Sequence, residues 1–177
     1  MIYPDHGWRR VFFRAPLLLW RLGLARLHPS NFLVLTTTGR KSGQPRYTML
    51  EHSRLDDRIY VTSGWGSRTQ WHKNIVADPR VTVQTTRGEV VRGQMTKVDE
   101  DRELTRLFQE MQGNSPVWDD YLASWEIEDD LQDFLAKKER TSVLRLDPTD
   151  DPTPKAISRD LLWVWGVIAI AGLFLLA

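Results

Sequence analysis

The segment FLVLTTTGRKSGQPRYTMLEHS, residues 32–53, contains two stretches with strand character on either side of a long polar loop. The first stretch, Phe32–Thr38, is apolar and β-branched. Residues 46–53 follow with alternating side chains, so the two stretches predict paired strands. A tight hairpin needs only about two loop residues. The loop in this segment is longer and strongly basic, which chain reversal alone does not require.

The loop has the composition of an anion-binding site. Arg40, Lys41 and Arg46 supply positive charge, while the Ser42 hydroxyl and the backbone N–H groups add hydrogen-bond donors. Gly39 and Gly43 permit positive φ, and the proline at position 45 rigidifies the exit. Such a loop suits phosphate or carboxylate groups. A solvated basic turn explains the same residues, and the loop alone does not decide between the two.

Strand patterns continue along the chain, with helical segments between them. Further strands are predicted at 59–63, 81–85, 89–97 and 141–146, and helices at 69–77, 99–111 and 118–138. Six short strands with scattered helices are typical of a small antiparallel barrel in an α+β fold. They do not fit a parallel nucleotide-binding sheet.

Composition narrows the classes of function. The net charge of +1 leaves no global polycation for coating nucleic acid, so a nucleic-acid partner is not expected. The chain has no cysteine, which excludes disulfides, thiolate metal sites and cysteine catalysis. The four histidines are dispersed, and Glu51 and His52 lie on opposite faces of one predicted strand. An enzyme of this composition takes its chemistry from a cofactor.

A second dense region, SGWGSRTQWHKN at residues 63–74, follows the predicted third strand. Two glycines allow a ligand to approach the backbone closely, and the start of the next helix presents N–H groups that favour anions or carbonyl oxygens. Trp65 and Trp71 offer flat surfaces for a ring. A strand–helix junction with tryptophans in the core is the alternative interpretation.

The two ends of the chain differ from the middle. We divide the sequence into a basic amphipathic helix (1–29), the barrel domain (30–147), a proline-rich linker (148–160) and an uncharged segment (161–177). The last segment has the character of a short membrane-spanning anchor helix, with a buried core helix or a docked hydrophobic tail as the alternatives. Lys155 and Arg159 precede it and predict a membrane-associated protein whose barrel domain faces the cytoplasm.

The two motifs, TTTGRKSGQPR at 36–46 and WHKNIVADPRVTVQ at 71–84, resemble the deazaflavin-dependent nitroreductase and quinone reductase family over about residues 32–125. The resemblance implies a split β-barrel related to flavin-binding oxidoreductases, often a homodimer, with reduced coenzyme F420 as hydride donor. It implies twelve cofactor-binding residues: Arg40, Lys41 and Ser42 for the anionic tail; Arg46, Tyr47 and Thr48 for the adjoining groove; and Val61, Thr62, Ser63, Gly64, Trp71 and Asn74 for the ring.

The resemblance also places the acceptor. The substrate would lie beside Trp65, Trp118, Tyr121 and Trp125, and Tyr121 would act as proton donor unless it is a packing residue. Nitroreductase members of the family have a tyrosine-rich pocket segment, whereas Ser115 and Trp118 stand here, so nitro reduction is not expected. Together with the apolar tail, this predicts an oxidoreductase of quinones or similar lipophilic acceptors at a membrane. FMN or another flavin or tetrapyrrole on the same barrel, and a non-enzymatic membrane-tethered binding protein, are the alternatives.

Overall fold

Alternating apolar side chains close the middle of the chain into a barrel. The computed structural model describes residues 8–64 and 66–176. In this part of the chain the strands are β1 (Phe32–Thr38), β2 (Pro45–Leu55), β3 (Arg58–Thr62), β4 (Arg80–Thr85), β5 (Val90–Lys97) and β6 (Val143–Pro148). The helices are α1 (Trp8–Arg21), α2 (Gln70–Ala77), α3 (Asp101–Asn114), α4 (Trp118–Trp125), α5 (Leu131–Ala136) and α6 (Trp163–Leu176).

The barrel is closed and antiparallel throughout, in the order β1-β2-β3-β6-β5-β4. Every second residue of a strand points to one face, and the inward set forms a continuous apolar core. Its buried members include Leu33, Leu35, Val61, Val81 and Val83. The prediction of an α+β fold built on a small antiparallel barrel is therefore confirmed.

A second core lies between the outer face of the barrel and helices α3–α5. Tyr60 and Val143 face Leu104, Phe108 and Phe134 there, and all five are buried. The helical region predicted over about 118–138 consists of two short helices, α4 and α5. The backbone of Glu126 adopts the left-handed conformation, with φ of 57°, and ends α4. The Asp130 carboxylate then caps α5 by accepting from the N–H groups of Gln132 and Asp133.

The segment predicted as a linker, 148–160, lies against the barrel. The side chain of Gln84 on β4 pairs with both backbone groups of Ile157, at 2.8 and 3.2 Å. The Thr82 hydroxyl donates to the carbonyl of Pro154 at 2.6 Å. Ile157 is buried with Trp20 of α1 and Val34 of β1. This segment therefore carries the chain across the outside of β4 and β1 to the end of α1.

The start of α6 is attached to the end of α1 at a contact that we call the α1–α6 joint. The Arg21 guanidinium donates to both carboxylate oxygens of Asp160, at 2.8 and 2.6 Å. The Leu161 N–H donates to the carbonyl of Arg21 at 3.2 Å. The Trp165 indole N–H donates to the carbonyl of Leu22 at 2.9 Å. These bonds give α6 a defined position beside α1.

The prediction of a membrane-spanning helix at 161–177 is not supported. Within the described residues, no helix combines the length and the apolar character that crossing a membrane requires. The α6 helix has 14 residues, which at ~1.5 Å per residue rise about 21 Å, against a hydrocarbon layer of ~30 Å.

The second core makes a direct prediction for stability. Phe134 is fully buried and packs edge-on against Phe108, with ring centroids 5.2 Å apart. We expect Phe134→Ala to lower the free energy of unfolding by about 3–5 kcal/mol, because it leaves a cavity among aromatic rings. Urea titration followed by tryptophan fluorescence measures this. The exposed Val90→Ala serves as the control, and an equal loss in the two variants would contradict the assignment of this core.

We expect the α1–α6 joint to lose stability at acid pH. The hydrogen bond from Arg21 lowers the pKa of Asp160 to about 2, from 3.8 in an unperturbed chain. A carboxylate whose pKa is lowered stabilises the joint above its unperturbed pKa, and this stabilisation is lost as the pH falls through about 2. We expect the Leu161 amide to exchange faster in Asp160→Asn than in the unmodified protein at neutral pH, as followed by hydrogen exchange. Unchanged protection would show that the ion pair does not hold α6.

Candidate functional site

The loop between β1 and β2 has a defined geometry. It connects Thr38 to Pro45, which pair across the two strands. The Gly39 N–H donates to the carbonyl of Gln44 at 2.9 Å, and the Gly43 N–H donates to the carbonyl of Gly39 at 2.7 Å. A Cβ on Gly39 would lie 2.8 Å from the Ser42 hydroxyl oxygen and 3.0 Å from the carbonyl oxygen of Gln44, so a larger residue here would force the loop to shift. Gly43 adopts a φ of 65°.

The loop cations have neutral partners. The Arg40 guanidinium donates to Asn74 Oδ1 at 3.1 Å and to Gln70 Oε1 at 3.0 Å. Arg46 Nη2 donates to the Ser42 hydroxyl at 3.1 Å. Among the described residues, none of Arg40, Lys41 and Arg46 forms an ion pair with a carboxylate. The loop therefore keeps its positive charge without compensation from the protein.

Asn74 connects the loop to the barrel. It is buried on α2, and its amide nitrogen donates to the Thr37 hydroxyl of β1 at 3.1 Å. Its amide oxygen accepts from both the backbone N–H and the guanidinium of Arg40. One buried side chain thus links α2, β1 and the basic loop.

A cavity of about 340 Å³ lies between the loop and α2. We call it the basic cavity. Seven of the twelve predicted cofactor residues line it, together with Gly39 and Gln70; the seven are Arg40, Lys41, Ser42, Arg46, Thr48, Trp71 and Asn74. Tyr47, on the other face of β2, is only partly buried and packs beside Trp20 and Val34.

A larger cavity, of about 780 Å³, lies along a different face of α2. We call it the apolar-floored cavity, because Ile75, Met95, Trp125 and Leu144 line it. Of the predicted residues, Gly64 and Trp125 reach it. Its lining also carries four basic side chains, from Arg68, His72, Lys97 and Arg140. Two of these are ion-paired, Lys97 with Glu139 at 2.7 Å and Arg140 with Glu126 at 3.1 Å.

The other three predicted ring contacts point elsewhere. Val61 is fully buried in the barrel core, and the Thr62 hydroxyl lies 3.9 Å from the sulfur of Met111. The Ser63 hydroxyl donates to the carbonyl of Gly66 at 2.8 Å and shapes the turn into α2. The side chains of these residues line neither cavity, so contact with a ring would have to use their backbone.

Of the residues predicted to border the substrate, some are packed in the core and others line a cavity. Trp118 is buried in the second core, where its indole N–H donates to Asp129 at 2.9 Å. Trp125 lines the apolar-floored cavity, and its indole N–H donates to the carbonyl of Ser63 at 3.3 Å. Tyr121 stacks on Trp125 with centroids 5.5 Å apart, and its ring fills the space beside Gly64. Trp65 lies outside the described residues.

The Tyr121 hydroxyl contacts the carboxylate of Glu51, a residue that the sequence did not indicate as part of the site. It donates to Glu51 Oε2 at 3.3 Å, and the same oxygen accepts from the Ser115 hydroxyl at 3.0 Å. The other Glu51 oxygen accepts from the Asn31 amide at 3.0 Å. The four residues of this cluster come from three separate parts of the chain, so spacing along the sequence gave no signal for it.

Burial decides the protonation of two groups at the apolar-floored cavity: His72 in its lining, and Tyr121, which stacks on Trp125 behind it. Burial, with the charge of Glu51, raises the pKa of Tyr121 well above its ordinary value, so the phenol stays protonated at neutral pH. Burial lowers the pKa of His72, and the charge of Lys97 lowers it further, so this imidazole is neutral near pH 7. The site therefore offers a neutral phenol and permanent cations.

Solved structures are similar to this chain to different degrees. A solved structure of an F420-H2 dependent reductase (FDR-A) is 21% identical, with a TM-score of 0.49, over 66% of this chain and 94% of the other. A chain solved as a domain-swapped dimer is 20% identical, with a TM-score of 0.51, over 79% and 97%. A conserved hypothetical protein of Mycobacterium tuberculosis is 20% identical, with a TM-score of 0.46, over 71% and 78%.

The family is settled by sequence. The family model of the F420H(2)-dependent quinone reductases matches residues 23–128, which is more than half of the chain. This range includes the basic loop, the region 63–74 and the aromatic helix α4. The protein therefore belongs to the F420H(2)-dependent quinone reductase family, and is an oxidoreductase that uses coenzyme F420.

Proposed function

We propose that this oxidoreductase passes the hydride of reduced coenzyme F420 to a quinone or a similar lipophilic acceptor, at a membrane and on its cytoplasmic side. The observation that carries the proposal is the set of loop cations without carboxylate partners, facing a cavity closed by α2. When bound, the deazaflavin supplies the hydride. The protein has to hold its anionic tail, receive the acceptor and provide a proton.

The basic cavity suits the anionic tail. Arg40 rests on two neutral amides, so an anion gains a charged hydrogen bond without breaking an ion pair. Lys41 is exposed on the same loop, and Arg46 is held toward Ser42. The bonds within the loop keep these donors in place before the ligand arrives, which reduces the entropy that binding costs.

The apolar-floored cavity suits a planar lipophilic acceptor. Ile75, Met95 and Leu144 form an apolar surface, and the Trp125 indole provides a flat wall. A quinone that accepts a hydride becomes an anion until it takes up a proton. Arg68, the one guanidinium of this lining without an ion pair in the described segments, would stabilise that charge.

The neutral phenol of Tyr121 is the proton donor in this proposal. Its hydroxyl contacts Glu51 in the structure, and Tyr121 does not itself line the apolar-floored cavity, so the side chain must move from the carboxylate toward that cavity to donate. Burial, together with the charge of Glu51, raises the pKa of the phenol and keeps it protonated until then. The predicted homodimer also remains a proposal; the domain-swapped dimer with the same fold supports it.

Removing the loop charges tests the cofactor site. We expect the double substitution Arg40→Ala and Lys41→Ala to weaken F420 binding about 100-fold or more, at about 1.5–3 kcal/mol for each charged hydrogen bond. Fluorescence titration with F420 measures this, and urea unfolding should show little loss of stability. Arg92→Ala removes an exposed arginine from β5 and is the matched control. Equal affinities in the double variant and the control would refute the site.

Tyr121→Phe tests the proton step. We expect kcat for menadione reduction to fall about 100-fold, the usual scale of general acid catalysis, with unchanged affinity for F420. The stacking on Trp125 is preserved in this variant, because only the hydroxyl is lost. Stopped-flow oxidation of reduced F420 gives the rate. A variant that retains the full rate would make Tyr121 a packing residue and leave the cofactor site untouched.

A further inference from the structure

The α6 helix presents apolar side chains to solvent on every side. Trp163 is 64% exposed, Val167 54%, Ile168 53% and Ile170 58%. Successive helical residues are about 100° apart around the axis, so these side chains, the 43% exposed Trp165 and the exposed Ala169 together leave no gap wider than about 100° around the helix. Contiguous apolar surface of this kind marks a contact with a partner or a membrane.

The exposed helix is not a loose tail. At the α1–α6 joint, three backbone or side-chain groups of residues 160–165 bond to Arg21 and Leu22. Leu162 also packs so closely on Gly23 that a Cβ there would lie 2.7 Å from the leucine Cδ2. The chain before the joint is fixed to β4 through Ile157 and Pro154. The barrel therefore holds α6 in a set direction.

Three exposed cations lie close in sequence to the residues of the α1–α6 joint. Arg26 follows α1, while Lys155 and Arg159 precede α6, and all three are exposed. None of the three has an ion pair in the segments 8–64 and 66–176. The nearby acid, Asp160, is already neutralised by Arg21. An apolar projection whose neighbouring free charges are basic is complementary to an anionic lipid surface.

We infer that the protein docks on anionic lipid bilayers through α6, whose apolar side chains enter the acyl region while Arg26, Lys155 and Arg159 contact the headgroups. A second copy of the chain would cover only the side of α6 that it contacts, whereas lipid surrounds the helix. Docking depends on α6 and the joint alone. It makes the membrane part of the proposed function specific, but it does not require the cofactor site.

Flotation of the full chain with vesicles tests the inference. Two vesicle types are compared: phosphatidylcholine alone, and an equal mixture of phosphatidylcholine and phosphatidylglycerol. We expect the protein to float with the mixed vesicles and to bind phosphatidylcholine alone about tenfold less tightly, since basic residues near an anionic surface add to the binding. Arg26→Gln, Lys155→Gln and Arg159→Gln together should remove this preference.

The apolar contribution has its own variant. We expect Val167→Ser, Ile168→Ser and Ile170→Ser together to weaken vesicle binding about tenfold or more, because they remove apolar surface that would be buried in lipid. These side chains are exposed, so the barrel should unfold at the same urea concentration. Val90→Ser, on a 52% exposed valine of β5, is the matched control and should float like the unmodified protein.

Three results would overturn the inference. They are failure of the unmodified protein to float with either vesicle, flotation of the triple serine variant equal to that of the control, and a stable dimer that the serines dissociate in the absence of lipid. F420 titration of the same preparations separates the two proposals. Normal cofactor affinity without flotation rejects docking alone, and flotation without cofactor affinity rejects the proposed cofactor site alone.

Discussion

Barrel closure is the constraint on which the rest of the structure depends. The last strand, β6, pairs with β3 on one side and with β5 on the other, and so joins segments more than forty residues apart in the sequence. Because the sheet has no free edge, its strand ends have fixed positions. The β1–β2 loop and α2 can then meet through the single buried side chain of Asn74. The contact between the β1–β2 loop and α2 forms the basic cavity.

The distribution of charge separates structural from functional arginines. Arg145 donates to Glu103 and Asp147 and ties β6 to α3, and Arg106 is paired with Asp56. Carboxylates of the protein neutralise the positive charge of these two arginines. The loop arginines rest on amides and a hydroxyl, which bind them without neutralising them. A site prepared in this way retains its attraction for an anion until one is bound.

Short-range patterns in the sequence predicted much of the fold. The bounds of β1 and the end of α2 coincide with the prediction. The start of α2 and both bounds of α3 differ from it by one to three residues, because periodicity and turn residues act over short distances. The pattern predicted a helical region over about 118–138 but not the position of the break at Glu126, since a left-handed residue other than glycine leaves no signal in it. Of the cofactor residues, those on the loop and α2 came together as expected. Val61 did not, because strand alternation turns its side chain into the core.

By itself, the sequence determined the antiparallel barrel, the basic loop and the family with its cofactor, because each is encoded in short motifs of glycine, proline, charge and alternating apolar residues. Only the tertiary structure decided which distant residues the side chains of those motifs contact. It brought Asn74 to Arg40, Glu51 to Tyr121 and Asp160 to Arg21, across separations of 34, 70 and 139 residues. Contacts of that range arise from closure of the barrel and the packing of helices on it, and no local pattern of side chains records them.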